Sequence, residues 1–307
     1  MQIVVLGSAA GGGFPQWNCH CRMCQSVRQG TSRAQPRTQS SIAVSDDGDN
    51  WVIINASPDI RQQINASPQL AKADGARGSG VRAVIVTDAQ IDHTTGLLIL
   101  REGLPLDLYC TKEVADELSS SYPILSMMTH WQGGYRTTTV DPSSEEGWQI
   151  PSVPSLRFVP IVLESNAPPF SPYRDRDRPR PGDNIGLQIV DTRTGASLFY
   201  APGLAAPAPV VLSAMDKADC VMMDGTLWTD DEMIREGLGT SLGSEMGHLS
   251  VSGEEGMLAL LSQFSKPRKV LIHINNTNPI LDPDSPQHKA VLEAGVEVAF
   301  DGMEIHI

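Results

Sequence analysis

Two β-branched runs, each leading into a histidine-bearing loop, constrain this chain most. Val81–Val86 runs into Thr87-Asp88-Ala89-Gln90-Ile91-Asp92-His93, and Lys269–Ile274 carries His273 near its end. Apolar runs of this length read as buried strands, and loops at strand carboxyl ends are where α/β sheets collect ligands. Asp92, His93 and His273 together supply one carboxylate and two imidazoles. With open positions left over, that set suits a non-haem Fe(II) centre that activates oxygen. In the competing reading Asp92 caps a helix beginning near Thr94 and both histidines are ordinary polar residues; the strand-then-ligand context, met twice, favours the metal.

The remaining pattern fits around these two strands. Further strands are expected at Gln2–Leu6, at Ser40–Val44 and Trp51–Ile54 around the turn DDGDN, at Leu106–Cys110, Leu156–Leu163, Ile185–Val190, Ser197–Tyr200 and Cys220–Met223, and near Val296–Phe300 and Glu304–Ile307. Helices are expected at Pro58–Leu70, Thr94–Glu102, Thr111–Ser121, Ala208–Met215, Ser252–Phe264 and Ser285–Ala294, with irregular structure over 132–154. Strands open both halves and helix–strand alternation follows. An αββα sandwich, two packed mixed sheets flanked by helices, satisfies that order; a plain doubly wound sheet is the competitor. Neither a 20–50-residue repeat nor a dividing linker is visible, so one domain over 1–307 is expected.

Composition narrows the function classes. Hydrophobic residues make up 40% of the 307, enough for a buried core. The net charge of -13 disfavours a phosphate backbone as partner, so nucleic acid is not expected. No run reaches the roughly 20 apolar residues needed to span a bilayer, and the opening MQIVVLGSAAGGGFP lacks a basic region before a long apolar one. The expectation is a cytoplasmic protein without membrane insertion.

Three of the five cysteines fall in CHCRMC as Cys19, Cys21 and Cys24. Thiolates this close can converge on one tetrahedral thiophilic ion, with zinc in a structural role the natural choice. Asn276, three residues beyond His273, is the candidate fourth ligand; His20 is disfavoured by strain between its flanking ligands. Cys110 and Cys220 sit in apolar runs and read as core. In the segment PPFSPYRDRDRPRPGD, Arg174 and Arg176 are candidates to grip substrate carboxylates through guanidinium forks, although a solvated surface loop is the plainer reading.

Three blocks carry a family resemblance over most of the chain. LGSAAGGGFPQWNCHCRMC, TDAQIDHTTGLL, and MGHLSVSGEEGMLALL followed by VLIHINNTNPIL resemble the metallo-β-lactamase superfold, and within it the B proteins of pyrroloquinoline quinone (PQQ) biosynthesis. Hydrolases of the superfold carry T-H-x-H-x-D-H where this chain has Asp88 and Gln90 in place of the first two histidines. They also end a second-half strand in a metal-bridging Asp, where Phe199-Tyr200-Ala201-Pro202-Gly203 has no carboxylate. A two-metal hydroxide is then hard to build, so residual phosphodiesterase or nuclease activity is a third, weaker option, disfavoured by the missing His pair and the acidic charge.

The resemblance implies an iron- and O2-dependent hydroxylase acting on the tyrosine ring of a crosslinked Glu–Tyr precursor of PQQ. Asp92, His93 and His273 would hold Fe2+, Asp88 and Gln90 would face substrate, and zinc would fill the cysteine cluster. His248 matches a proton-donating His of tRNA-processing relatives and is a candidate acid/base. Asp224 is a candidate to orient a ligand histidine. The alternative is a carrier of PQQ or its precursor towards the periplasm. Homo-oligomerisation and contacts with other proteins of the pathway are compatible with either.

Overall fold

The computed structural model describes residues 1–72, 76–174 and 179–307. Two seven-stranded mixed sheets pack face to face with helices on both outer faces, the expected αββα architecture. The first sheet takes β1 (Gln2–Gly7), β2 (Ser41–Ser45), β3 (Trp51–Ile54), β4 (Val81–Ile85), β5 (Asp107–Thr111) and β6 (Arg136–Val140). The second takes β7 (Trp148–Gln149), β8 (Leu156–Val162), β9 (Ile185–Asp191), β10 (Ser197–Ala201), β11 (Cys220–Asp224), β12 (Arg268–Ile272) and β13 (Glu297–Val298). The last strand, β14 (Glu304–His306), returns to the first sheet and pairs antiparallel with β1. The sheet orders are 14-1-2-3-4-5-6 and 13-12-11-10-9-8-7.

The central strands are apolar on both faces because both faces are covered. Ile3, Val5, Ile54 and Ile85 point between the sheets and meet Phe158, Leu187, Tyr200 and Ile272. On the outer face of the first sheet, Val4, Ile53, Val84 and Leu108 pack under Leu97, Val114 and Leu118. On the outer face of the second, Phe199, Val221 and Leu271 meet Val211, Met257, Leu261 and Val291. A strand read in isolation therefore shows a continuous apolar run.

β3 to β6 run parallel, as do β10 to β13, and each set delivers its carboxyl ends to a loop cluster. The two sheets are tied where β4 ends: Ile185 N–H donates to the Thr87 carbonyl at 3.0 Å, and Asp88 bridges to Asn184.

Three helices depart most from their expected spans. The one expected over Pro58–Leu70 spans Ile60–Ala66, because Pro68 forces Ser67 out of the helical region (φ -116°, ψ 85°). The one expected over Thr94–Glu102 is Gly96–Ile99 followed by a 3₁₀ turn at Leu100–Gly103, with a separate short helix, Ile91–Thr94, ahead of it. The one expected from Ser252 begins at Met257, since Gly253 adopts φ +100° and turns the chain first. Within 132–154, expected to be irregular, β6 is an edge strand with four of its five residues exposed, so no core face marked it in the sequence.

Gly96 fixes where the metal-loop helix sits. Its N–H donates to the Ala56 carbonyl at 2.8 Å, and Ala56 N–H donates to the His93 carbonyl at 2.7 Å. A Cβ at position 96 would lie 2.4 Å from the Ser57 carbonyl oxygen and 2.7 Å from the Ala56 carbonyl. Gly96→Ala is therefore expected to lower stability by about 1–3 kcal/mol, the range for forcing atoms into packed space. Urea unfolding reads this directly; an unchanged midpoint would mean that the segment after β3 is free to retreat.

Candidate functional site

Asp92 and His93 lie in the short helix Ile91–Thr94 behind β4, and His273 is the first residue beyond β12. One ligand atom from each lies within 4.8 Å of the other two. His273 Nε2 is 3.3 Å from Asp92 Oδ2 and His93 Nε2 is 3.9 Å from it. His273 adopts φ +60°, a left-handed conformation that a bulky residue holds only when its surroundings impose it. The surroundings do: Ile274 N–H donates to the Ser8 carbonyl, Ala10 N–H to the Ile274 carbonyl, and Asn275 N–H to the Thr226 carbonyl.

A carboxylate stands behind each imidazole. Asp88 faces His93 Nδ1 with both oxygens, at 2.9 and 2.8 Å. It also accepts from Gln90 N–H and the Thr87 hydroxyl. His273 Nδ1 meets the Thr226 hydroxyl at 2.9 Å, and that hydroxyl donates to Asp224 Oδ1 at 2.6 Å. Asp224 Oδ2 faces His248 Nδ1 at 2.7 Å. Carboxylate–histidine pairs of this kind fix ring tautomers and strengthen metal-ligating nitrogens.

The charges follow. Burial opposes ionisation of Asp92, but the imidazoles of His93 and His273 outweigh it and hold the carboxyl well below its usual range. Burial also opposes charge on His93, yet Asp88 and Asp92 on either side lift it to about 9. His248 is likewise raised, with Asp224 overcoming burial.

The residues fit a metal on one structural point above all. His93 Nε2 is buried and has no hydrogen-bond partner. A bare buried polar nitrogen costs about 1–3 kcal/mol, and a cation between it, Asp92 and His273 removes that cost. Asp224, His248 and His273 form a second convergent group, but its carboxylate already accepts from Leu204 N–H, Thr226 N–H and the Thr226 hydroxyl. That pattern suits an orienting carboxylate better than a ligand.

Cys19, Cys21 and Cys24 converge beside this site and are buried. Cys24 is drawn down to about 7 by the hydrogen bond from Cys21, against burial and with help from Asn276; Cys21 is pushed up in return. Asn276 Nδ2 lies 3.1, 3.7 and 3.3 Å from the three sulfurs. Facing this way the amide donates to thiolates; serving as the fourth ligand would need a half-turn that presents Oδ1. His20 is exposed.

Residues 50–274 match the family model of the beta-lactamase superfamily domain. Over its whole length the chain is 55% identical to coenzyme PQQ synthesis protein B of Pseudomonas putida (strain GB-1) and 55% identical to that of Azotobacter vinelandii, each covered completely. The chain belongs to the coenzyme PQQ synthesis protein B family. It superposes on the crystal structure of Zn2+-bound PqqB from Methylobacterium extorquens with a TM-score of 0.90 at 39% identity, both chains fully covered. A diphosphatase of the PhnP family shares the fold alone, with a TM-score of 0.67 at 17% identity over 99% of this chain and 96% of that one.

In this PQQ B family member the triad opens on a cavity of about 320 Å³ lined also by Gln90, Arg174, Asn184, Met233 and His248. Arg174 reaches the wall with one nitrogen donating to the Ala167 carbonyl at 2.8 Å. Asp88, expected to face substrate, borders the cavity and at the same time contacts His93, Gln90 and Thr87. Arg176 lies outside the described residues. Sequence reading missed Thr226 and also Asn55, which bonds the Thr87 backbone and hydroxyl from the end of β3. A polar residue just beyond a buried strand was the available signal, Asn55 directly after β3 and Thr226 two residues after β11.

A metal at the triad would have to displace the proton on His93, whose pKa is raised to about 9. Affinity of the metal-free triad for a divalent ion is therefore expected to rise with pH, about tenfold per unit for that one proton, levelling near pH 9. Competition with a chelator of known affinity measures it; a profile already flat from pH 6.5 upward would contradict the charge state assigned to His93.

Proposed function

We propose that this protein is an iron- and O2-dependent hydroxylase of PQQ biosynthesis that acts on the tyrosine ring of a crosslinked Glu–Tyr precursor. A structural zinc at Cys19, Cys21 and Cys24, completed by Asn276, would brace the same loop. One observation carries the reading. Asp92, His93 and His273 converge at a cavity, while Asp88, where hydrolases of the superfold have a metal-binding His, is engaged with His93. One metal with open positions fits this arrangement better than the hydrolytic pair.

Bound Fe2+ would supply oxygen activation, one atom of O2 entering the ring and the other leaving as water with two electrons and two protons from an external reductant. The protein's own groups do the rest. Leu163, Pro169, Ile185 and Met233 form an apolar wall that keeps bulk water from the reacting carbon. The Arg174 N–H groups not engaged with Ala167 suit a substrate carboxylate. With Nδ1 tied to Asp224, His248 has Nε2 left to take or give a proton at the phenol oxygen.

The test is anaerobic loading with Fe(II), then a crosslinked Glu–Tyr dipeptide, ¹⁸O2 and a reductant. The expected product carries label on the ring, and His273→Ala loses at least about 100-fold in turnover with its circular dichroism unchanged. Normal turnover in that variant would end the assignment of His273. Tight binding without product under several reductants would favour the carrier alternative.

A further inference from the structure

Thr226 sits two residues beyond β11 and is 5% exposed. Its backbone is pinned from both sides: its N–H donates to Asp224 Oδ1, and its carbonyl accepts from Asn275 N–H and Asn278 Nδ2. Gly225 permits the close approach, since a Cβ there would lie 3.0 Å from Leu271 Cβ and 3.1 Å from the Ile272 carbonyl oxygen. The hydroxyl is thus delivered to one fixed place, among four partners. Asp224 Oδ1 is at 2.6 Å, His273 Nδ1 at 2.9 Å, the His273 carbonyl at 2.9 Å and His248 Nδ1 at 3.2 Å.

A hydroxyl has one proton and two lone pairs. If that proton went to the His273 carbonyl, two oxygens would face each other at 2.6 Å across Asp224 with no hydrogen between them. The short, charge-assisted contact takes the proton instead. A lone pair then faces His273 Nδ1, which must carry a hydrogen to be held at 2.9 Å. On the far side of the same carboxylate, Oδ2 accepts from Leu204 N–H and faces His248 Nδ1 at 2.7 Å, so that nitrogen carries a hydrogen too.

We propose that Thr226 is a positioning residue that relays Asp224 to His273, holding the ring with its hydrogen on Nδ1 and its Nε2 turned to Asp92. The consequence for metal binding rests on the reading of His273 as a ligand given above. His93 has its carboxylate in direct contact; His273 has its carboxylate one hydroxyl away. The same Asp224 leaves His248 with Nε2 as its unengaged nitrogen, with no protein hydrogen bond to it among the described residues. One buried carboxylate therefore sets two rings, one at the metal and one at the cavity wall.

The test combines ¹⁵N–¹H long-range correlation spectra of ring-labelled protein with metal affinity. In wild type, metal-free and zinc-loaded alike, His273 is expected to show a hydrogen on Nδ1 that exchanges slowly. Thr226→Ser keeps that signal and binds Co(II) at the triad within about threefold of wild type. Thr226→Val loses the protected hydrogen and binds Co(II) about 10–100-fold more weakly, while the cysteine cluster keeps its metal. A bare Nδ1 on His273 in wild type overturns the proposal without any variant having to fold. So does Thr226→Val with wild-type affinity and exchange. If the triad takes up no metal while Nδ1 is protected, the metal reading fails and the relay stands, so the two failures are told apart.

Discussion

The contact between Asp88 and His93 is the constraint on which the site depends. A histidine at position 88 would itself be a ligand and would leave His93 without its carboxylate. With Asp88 there, His93 Nδ1 is engaged by two carboxylate oxygens and Nε2 is left buried, aimed at Asp92 and otherwise bare. On the proposed reading, the residue that stands in for one metal-binding His would also orient His93 toward a single ion. The cost of the bare nitrogen and the crowding of Asp92, His93 and His273 are both relieved by a single cation.

The scaffold supports this from two directions. β4 delivers the Asp88–His93 loop, which Asn55, Ala56 and Gly96 hold against the end of β3. β12 delivers His273 in a left-handed conformation that is kept only because Ser8, Ala10 and Thr226 bond the backbone on either side of it. Three residues further on, Asn276 meets the three cysteine sulfurs. The cysteine cluster and the triad thus share one short loop, and a structural ion at the first would stiffen the backbone that presents the ring at the second. Among the described residues no helix is long and apolar enough to cross a membrane, so the architecture has no spanning helix to accommodate.

The architecture was legible because its strands are apolar on both faces: Val81–Val86, Cys220–Met223 and Lys269–Ile274 mark buried parallel strands without help from context. The convergence of Asp92, His93 and His273 was legible from the same runs, since the first two stand in the loop after one and His273 near the end of the other. The Cys19, Cys21, Cys24 spacing was legible as a cluster. Helix ends were less so: Pro68 and Gly253 cut helices that periodicity alone would extend. The role of Asp88 was hidden because a local segment does not reveal which way a carboxylate turns; only the fold puts it against the ring five residues on. Thr226 was hidden more deeply, as its meaning depends on a strand 47 positions away in the chain.

The proposed function requires one redox-active ion at Asp92, His93 and His273, distinct from any ion among the cysteine sulfurs. Anomalous diffraction from crystals loaded anaerobically with Fe(II) in the presence of zinc, recorded on both sides of the iron and zinc absorption edges, tests this most directly. The predicted maps place an iron peak bounded by Asp92 Oδ, His93 Nε2 and His273 Nε2, and a zinc peak among Cys19, Cys21 and Cys24. An empty triad, or iron lodged between Asp224, His248 and His273, would contradict it.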